Sequence, residues 1–349
     1  MVFPKQEFNK ASVKDADINK GLLADLFNKI EDEKLNIHSM VLLKNGSRVF
    51  RASAFDYTEE TKENVYSISK SFTSVAIGIL SDLKLLNVED YVLFYFSGDI
   101  DHYDPGYEAL KIKHLLSMSV GQGKDVFYEA TPNDNIYELF FNQELIHEPG
   151  KEFFYNNAAS FILSAIVTKV TGKTLNDFLN EYLYQPIGME KPEWNQVNDI
   201  SFGCTGLQIS TNDMARFGLL LLNDGVWDGV QIVSKEYLAL ATTQQIDTLN
   251  HDNPYDQFGY GYQFWLNSFG DFRSAGMYKQ YIIVNKEYNM VFAIKAYEER
   301  ETLDLFENFI LKAAKVGWNY CDYSLRDYIR KFRSNSEEII KKEKEMRIE

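Results

Sequence analysis

Hydrophobic residues near the start of the chain recur at helical spacing and then give way to strand-like runs. A stripe of apolar residues predicts a helix over 21–35. Residues 39–50 read as two strands around Asn45-Gly46, the dipeptide typical of a tight hairpin. After the polar stretch 58–64, apolar positions from Phe72 to Leu83 again recur every three or four residues, which predicts a long helix packed on one side.

The middle of the chain alternates short helices with loops, and the last third returns to strand patterning. In the middle, Asn156-Asn157 opens a helix predicted over 158–170, and Gly172 closes it. A helix is expected over 302–315 near the end. Four consecutive strands are predicted before that helix, at 258–265, 271–275, 280–284 and 290–296.

This order of elements predicts an α/β (α+β) protein in which helices flank an antiparallel sheet and a mostly helical region is inserted. We expect a discontinuous sheet domain from 1–84 and 201–317, with the helical insertion at 85–200. Residues 318–349 form a charged C-terminal tail with few apolar points. Its composition favours a solvated helical segment, and an interaction arm is the alternative.

Composition narrows the classes of function. The chain has 349 residues, 45% of them apolar, and a formal net charge of −15, which argues against nucleic-acid binding and against anionic membrane surfaces. Cys204 and Cys321 are too few and too far apart for a disulfide framework or a zinc site, so two buried or half-buried thiols are expected. No histidine spacing implies a metal, and no phosphate loop or dinucleotide fingerprint implies a cofactor. The polar first 20 residues lack a signal-peptide pattern, so a cytoplasmic protein is the default expectation.

Ser67-Ile-Ser-Lys70 marks the point where the polar stretch meets the apolar helix. A serine and a lysine three residues apart share one helix face, so the amine can reach the hydroxyl. Such a lysine can act as the base for a serine nucleophile where burial or a nearby positive charge eases loss of its proton. The spacing alone is weak evidence, because Ser81 and Lys84 repeat it. Ser67 differs in position, since it is expected in the first turn of its helix, where free N–H groups favour negative charge.

Two later segments offer partners for this pair. Tyr155, at a helix start, can hold its phenol near a lysine and relay a proton to a leaving group, and Asn157 can orient the lysine or the substrate. The alternative is a core tyrosine followed by an asparagine cap. Further on, Ser274-Ala275-Gly276 lies in a predicted strand where glycine permits close approach of a substrate. The backbone N–H groups of Met277 and Ser67 would then form an oxyanion hole.

These three motifs, in this order and approximate spacing, resemble the serine β-lactamase and penicillin-binding protein superfamily, in particular the branch similar to class C β-lactamases that includes esterases, peptidases and acyltransferases. The resemblance covers roughly residues 20–316 and implies the β-lactamase/transpeptidase-like fold. Other segments resemble the family too: His114–Ser119 with Gly121, Val170–Thr174, Pro186–Met189 and Gly206–Thr211.

The resemblance also implies a mechanism. Ser67 would attack an ester or amide carbonyl, while Lys70 and Tyr155 would accept its proton and pass it to the leaving group. The N–H groups of Ser67 and Met277 would bind the oxyanion. Asn157 with Ser274, Ala275 and Gly276 would contact the substrate, and water or another acceptor would release the acyl-enzyme.

One departure from the family pattern bears on the substrate. The third motif is often Lys-Thr-Gly, whose lysine binds a substrate carboxylate, but this chain has Ser274 there. Arg273 is not an obvious substitute, because neighbouring strand residues point to opposite faces. A neutral ester or amide of a small molecule is therefore expected rather than a penicillin. An acyltransferase using the same acyl-enzyme, and a non-catalytic binding or scaffold protein, are the alternatives.

Aromatic residues are frequent in the segments that carry these motifs. They either form an apolar rim of a substrate pocket or belong to the ordinary core. The candidates are Phe127, Tyr128, Phe153, Phe154, Tyr255, Tyr260, Tyr262, Phe264, Trp265 and Tyr278.

Overall fold

Helices occupy the positions that the apolar stripes predict. The computed structural model describes residues 7–131, 134–320 and 324–347, so Cys321 lies outside the described residues. A π-helical turn, Phe306–Leu311, joins the last two helices before the C-terminal segment. The α-helices are α1 (Lys20–Asp32), α2 (Ser69–Asp82), α3 (Ile112–Leu116), α4 (Ile136–Phe141), α5 (Asn157–Thr171), α6 (Leu175–Leu179), α7 (Thr211–Leu222), α8 (Lys235–Ala241), α9 (Leu303–Leu305), α10 (Lys312–Val316), α11 (Leu325–Asn335) and α12 (Glu337–Met346).

Strands fall mainly at the two ends of the chain, as expected for a sheet interrupted by helices. The longer strands come before residue 54 and after residue 271, while those between are two or three residues long. They are β1 (Ile37–Lys44), β2 (Ser47–Ser53), β3 (Glu63–Asn64), β4 (Glu193–Trp194), β5 (Gln196–Val197), β6 (Ile200–Ser201), β7 (Leu207–Ile209), β8 (Val226–Trp227), β9 (Val230–Gln231), β10 (Trp265–Leu266), β11 (Phe272–Gly276), β12 (Gln280–Asn285) and β13 (Met290–Ala296).

The chain divides into two units, each with its own core. The first contains residues 1–65, 209–223 and 275–349, and the second contains 66–208 and 224–274. Helix α2, which the sequence analysis grouped with the residues before it, belongs to the second unit. The domain limits proposed from the sequence stay a prediction, whereas the mixed α/β class with an antiparallel sheet and helices is confirmed.

In the first unit, strands β12, β13, β1 and β2 pair antiparallel in that order. Helix α7 packs on one face, where an added Cβ at Gly218 would lie 2.4 Å from a methyl carbon of Val291. The neighbouring strand residue Phe292 contacts Phe306 at 6.0 Å between ring centroids. Because successive strand residues point to opposite faces, the helical segment 303–316 covers the other face of the sheet.

The hairpin between β1 and β2 forms as the Asn45-Gly46 pattern predicts. Both residues have positive φ, 53° at Asn45 and 75° at Gly46, as a type I′ turn requires. The pairing of Lys44 with Ser47 closes the turn, and a register shift follows between Leu42 and Leu43.

The C-terminal segment is helical, but one of its faces is buried. Phe332 of α11 lies 6.0 Å from Phe27 of α1, and Ile340 and Glu343 of α12 are 1% and 0% exposed. The interpretation of this segment as solvated is therefore wrong for this face. Apolar residues are sparse in this segment because each of its helices packs against the rest of the unit through only a few side chains.

The second unit is built around α2, most of whose residues are buried. Helices α5, α6 and α8 contact it, and α3 packs on α5. Gly78 allows the Tyr237 ring of α8 to lie directly on the helix, since a Cβ there would be 2.4 Å from the ring. This core holds the first turn of α2 and the start of α5 in place.

One predicted strand does not form over most of its length. Residues 258–265 were expected to be extended, yet only Trp265 with Leu266 forms a strand, which pairs with β11. Gly259 and Gln263 have φ values of 97° and 65°, which no strand accommodates. Gly261 also lies against the carbonyl of Ala241, where a Cβ would meet the oxygen at 2.1 Å.

Candidate active site

The structure brings Ser67 and Lys70 together. Ser67 lies in a 3-10 turn, Tyr66–Ile68, and Lys70 is the second residue of α2. The Ser67 Oγ is 3.0 Å from the Lys70 Nζ. Ser67 was expected in the first turn of the α-helix, and this is corrected: it precedes the helix. Tyr66 has φ of 47°, a sharp change of direction of the kind found at functional sites.

Lys70 is the centre of the hydrogen-bonded cluster. Its side chain is buried, and its Nζ donates to three neutral oxygens: Ser67 Oγ at 3.0 Å, Asn157 Oδ1 at 2.7 Å and the carbonyl of Cys204 at 2.9 Å. The Tyr155 ring centroid is 4.8 Å from the same nitrogen. Three acceptors and an aromatic face fix the amine beside the serine hydroxyl.

Asn157 is oriented by Asp125, which the sequence analysis missed. One carboxylate oxygen, Oδ2, accepts hydrogen bonds from the Asn157 backbone N–H at 2.9 Å and from its Nδ2 at 2.7 Å. The other, Oδ1, accepts from the Ala158 N–H at 3.1 Å. Because the amide nitrogen faces Asp125, the amide oxygen faces Lys70. The carboxylate also lies at the positive end of α5, where negative charge is favourable.

Asn156 anchors the start of α5 from the opposite side. It is buried, and its Oδ1 accepts from the Ala159 N–H at 3.1 Å, as an N-cap does. Its Nδ2 donates to Gln122 Oε1 at 2.5 Å, and Gln122 in turn donates to the Tyr107 hydroxyl at 2.7 Å. The predicted asparagine cap is confirmed, and it supports Asn157 without contacting Lys70.

Tyr155 rests on an aromatic cluster. Its ring stacks on Trp265 with centroids 6.0 Å apart and an angle of 13°, and it meets Tyr260 edge-on at 6.5 Å. Phe153 lies 5.5 Å from Trp265 on the same cluster. Tyr260 and Trp265, two of the candidates for a pocket rim, are buried. They belong to the core and support Tyr155.

The third motif begins in the second unit. Ser274 is 1% exposed, and its Oγ has no hydrogen-bond partner among the described residues. Arg273 is committed elsewhere, since its guanidinium donates to Asn267 Oδ1 at 2.8 Å and pairs with Asp256. The structure thus agrees that Arg273 does not replace the family lysine.

The remaining predicted site residues belong to the first unit. Ala275 and Gly276 end β11, half-buried, and Met277 follows them with 56% exposure. The next residue, Tyr278, has φ of 61°, so the chain turns directly after Met277. The oxyanion role of Met277 stays a prediction.

Several reactive side chains lie outside the cluster's chemistry. Cys204 contributes only its carbonyl, and burial raises the pKa of its thiol to about 12. Burial lowers the pKa of His114 to about 4, and its Nδ1 accepts from the Lys111 N–H at 3.2 Å, a structural role. Lys84, of the rival motif, follows the end of α2 and is exposed.

The family model for Beta-lactamase matches residues 27–309. The chain therefore belongs to the Beta-lactamase family, and the resemblance found from its motifs is confirmed. Among the described residues, no helix combines the length and apolar character that crossing a bilayer requires.

Relatives and solved structures agree with this assignment. Protein flp of Staphylococcus aureus (strain MW2) is 28% identical over 179 residues, which cover 46% of this chain and 35% of flp. Penicillin-binding protein 4* of Bacillus subtilis (strain 168) is 26% identical over 180 residues, which cover 46% of this chain and 38% of that protein. The matches thus span little more than a third of these relatives' own length.

Two solved structures share the fold over most of the chain. One, from Bacillus anthracis and described as a 6-aminohexanoate-dimer hydrolase, has a TM-score of 0.72 at 22% identity and covers 90% of this chain and 89% of its own. The other, a family VIII carboxylesterase, has a TM-score of 0.66 at 16% identity and covers 83% of this chain and 96% of its own. At these identities the likeness shows the fold.

Proposed function

We propose that the protein is a serine hydrolase that cleaves an ester or amide of a small molecule through an acyl-enzyme on Ser67. The observation that carries the proposal is the contact of Lys70 Nζ with Ser67 Oγ at 3.0 Å, made inside a buried cluster that also orients the amine. Nucleophilic catalysis by serine needs such a base within hydrogen-bond reach.

In this mechanism Lys70 acts as a neutral amine whose two N–H groups are held by Asn157 Oδ1 and the Cys204 carbonyl. Ser67 Oγ bonds to the substrate carbonyl carbon while its proton passes to the lone pair of Lys70 Nζ. The carbon–oxygen or carbon–nitrogen bond then breaks, and the leaving group takes the proton through Tyr155. Water attacks the acyl carbon, the acid is released, and Ser67 Oγ recovers a proton. The backbone N–H groups of Ser67 and Met277 would bind the oxyanion.

Ser274 and Asn157 would contact the substrate, together with Ala275 and Gly276. The Oγ of Ser274 has no hydrogen-bond partner in the part of the chain that the structure describes, which supports this role. A buried hydroxyl without a partner is costly, and a bound polar group would satisfy it. Since Ser274 is neutral and Arg273 is engaged with Asp256, a substrate without a carboxylate at this point fits best. The description of one structural neighbour as a carboxylesterase supports an ester as one of these bond types.

Intact-mass measurement after incubation with a fluorophosphonate tests the nucleophile. We expect one covalent adduct on the wild type and none on Ser67→Ala. Ser81→Ala is the matched control, because Ser81 belongs to the rival motif, and it should label like the wild type. Equal labelling of the wild type and Ser67→Ala would remove Ser67 as the nucleophile. Absence of any adduct on the folded wild type would favour the non-catalytic scaffold.

Product analysis with a p-nitrophenyl ester distinguishes a hydrolase from an acyltransferase. Release of the free acid in the presence of added alcohol indicates a hydrolase. A product in which the alcohol carries the acyl group indicates the acyltransferase alternative, which uses the same acyl-enzyme. Turnover of a chromogenic cephalosporin far above that of esters would overturn the expectation of a neutral substrate.

A further inference from the structure

The second unit contains a cavity of about 700 Å³, a size typical of small-molecule sites. Most of its wall is aromatic or aliphatic. The Phe127 ring lies 5.3 Å from Phe202 and 5.9 Å from Phe161, and exposed Tyr128 packs edge-on against it at 5.1 Å. Tyr137 and Ile200 also line the cavity.

Two short chain segments connect this cavity with the Lys70 cluster. Phe127 lies two residues after Asp125, the carboxylate that holds Asn157. Thr205, which also lines the cavity, directly follows Cys204, whose carbonyl accepts from Lys70. The same two loops therefore contribute residues both to the cavity wall and to the Lys70 cluster.

Three polar residues of the cavity lining, Thr131, Asp134 and Asn135, are already hydrogen-bonded within the protein. The Asp134 carboxylate accepts from the Thr131 N–H at 2.7 Å and from its hydroxyl at 2.8 Å. The Asn135 side chain accepts from the Tyr137 N–H at 3.1 Å at the start of α4. A ligand here meets an apolar wall and one carboxylate, a setting that disfavours an anionic group.

A different cavity, of about 660 Å³, is lined by Tyr155 itself. Its lining includes Glu152, Asp247 and Asp252, so it is more polar and more acidic. In the proposed mechanism Tyr155 delivers the proton to the leaving group, which places the leaving group on this side. The acyl side of the substrate is then assigned to the cavity around Phe127 and Phe202, whose wall includes Thr205, the residue after Cys204.

We infer that the cavity around Phe127 and Phe202 holds the acyl group, and that the substrate carries an uncharged alkyl or aryl acyl chain of several carbons. This inference rests on the proposed function and names its substrate class. The physical basis is that burying apolar surface of the acyl chain against aromatic side chains favours binding. A short or charged acyl group offers little apolar surface to bury.

Kinetics with p-nitrophenyl acetate and p-nitrophenyl hexanoate test the inference. We expect kcat/KM of the wild type to be about tenfold or more higher for hexanoate, since added methylenes in an apolar pocket favour binding by such factors. Ile200→Trp fills the cavity and should lower the hexanoate-to-acetate ratio about tenfold. Val230→Trp is the matched control, because Val230 also lies in a two-residue hairpin strand but outside this cavity, and it should keep the ratio within about twofold.

A binding measurement separates the inference from the proposed function. Ligand-observed NMR of 4-phenylbutyramide with Ser67→Ala, alone and combined with Ile200→Trp, reports occupancy without turnover. Binding that Ile200→Trp removes supports the acyl cavity even if Ser67 carries no activity. A hexanoate-to-acetate ratio unchanged by Ile200→Trp, with turnover still dependent on Ser67, overturns the inference and leaves the proposed function standing. Binding of the amide that Ile200→Trp does not weaken also overturns it.

Discussion

Asp125 and Asn157, 32 residues apart in the chain, are joined through a single carboxylate oxygen that accepts from both the backbone and the side-chain amide of Asn157. This double contact decides which end of the amide faces Lys70. The asparagine that contacts the amine is therefore positioned by a residue that does not itself touch Lys70.

Asp125→Asn tests this positioning role. The neutral side chain removes the charge assistance from all three hydrogen bonds that the carboxylate accepts. Its amide N–H can also face the N–H groups of Asn157, so Asn157 is expected to rotate. The loss of about 1–3 kcal/mol corresponds to a fall in kcat of roughly 5- to 150-fold for p-nitrophenyl esters, with a smaller change in KM. Asp177→Asn is the control, because Asp177 lies in the first turn of α6 and accepts from the Thr174 hydroxyl. A loss of thermal stability equal in both variants, with kcat unchanged in Asp125→Asn, would contradict the role.

Lys70→Met tests the proposed base. Methionine keeps the length of the side chain but leaves Ser67, Asn157 and the Cys204 carbonyl without their donor. General-base catalysis contributes about 10²- to 10⁴-fold, so the rate of fluorophosphonate labelling at Ser67 should fall by such a factor. Lys84→Met, at the exposed lysine of the rival motif, should label at the wild-type rate. Comparable labelling rates in Lys70→Met and the wild type would show that Lys70 does not activate the serine.

The part of the site that could be predicted is the part set by local spacing. Ser67 and Lys70 are three residues apart, and Asn156-Asn157 is a recognisable helix start. Both features can therefore be predicted from residues that are close in sequence. Asp125 and the Cys204 carbonyl could not be found in the same way. Asp125 reaches Asn157 across 32 residues, and a backbone carbonyl has no residue type to mark it.

The fold shows the same division between local and long-range information. The β1–β2 hairpin follows from Asn45-Gly46 alone. The strand predicted over 258–265 does not form over most of its length, because Gly259 and Gln263 adopt positive φ to fit neighbouring loops. The charged composition of 318–349 predicts that Glu343 is solvated, as glutamates usually are. It is buried instead because its partner is His38, 305 residues earlier in the chain.

Gly78→Ala tests the packing that holds α2 in the second unit. The new Cβ would lie 2.4 Å from the Tyr237 ring, whose hydroxyl donates to the Ser74 carbonyl at 2.8 Å and restrains any shift. We expect the free energy of unfolding to fall by about 1–3 kcal/mol, despite the better helix propensity of alanine. Gly98→Ala, where a Cβ meets nothing within 4 Å, should change it little. Equal urea midpoints for the two variants would refute the packing argument.

A buried histidine joins the C-terminal helix α12 to the sheet of the first unit. His38 Nδ1 lies 3.0 Å from Glu63 Oε1, and its Nε2 lies 2.7 Å from Glu343 Oε2. Arg347 pairs with the other oxygen of Glu343 at 2.7 Å. Burial opposes the charge on His38, but the hydrogen bonds that its ring donates to Glu343 and Glu63 outweigh this effect and raise the pKa of His38.

Stability should therefore depend on pH through His38. Because its folded pKa is raised above the usual 6.5, the stabilisation is fully present below about pH 6.5 and is lost as the pH rises through the folded value. Glu63 acts in the opposite range: burial opposes its charge, the His38 contacts prevail and lower its pKa, and that stabilisation is lost as the pH falls below about 4.5.

Urea unfolding of the wild type and His38→Gln between pH 6 and 9 measures this contribution. The difference in unfolding free energy between the two should shrink as the pH rises, because the wild type loses the imidazolium that bridges Glu63 and Glu343. His102→Gln, at an exposed histidine, is the control and should follow the wild type at every pH. A difference between His38→Gln and the wild type that stays constant across this range would mean that the neutral ring holds α12 equally well.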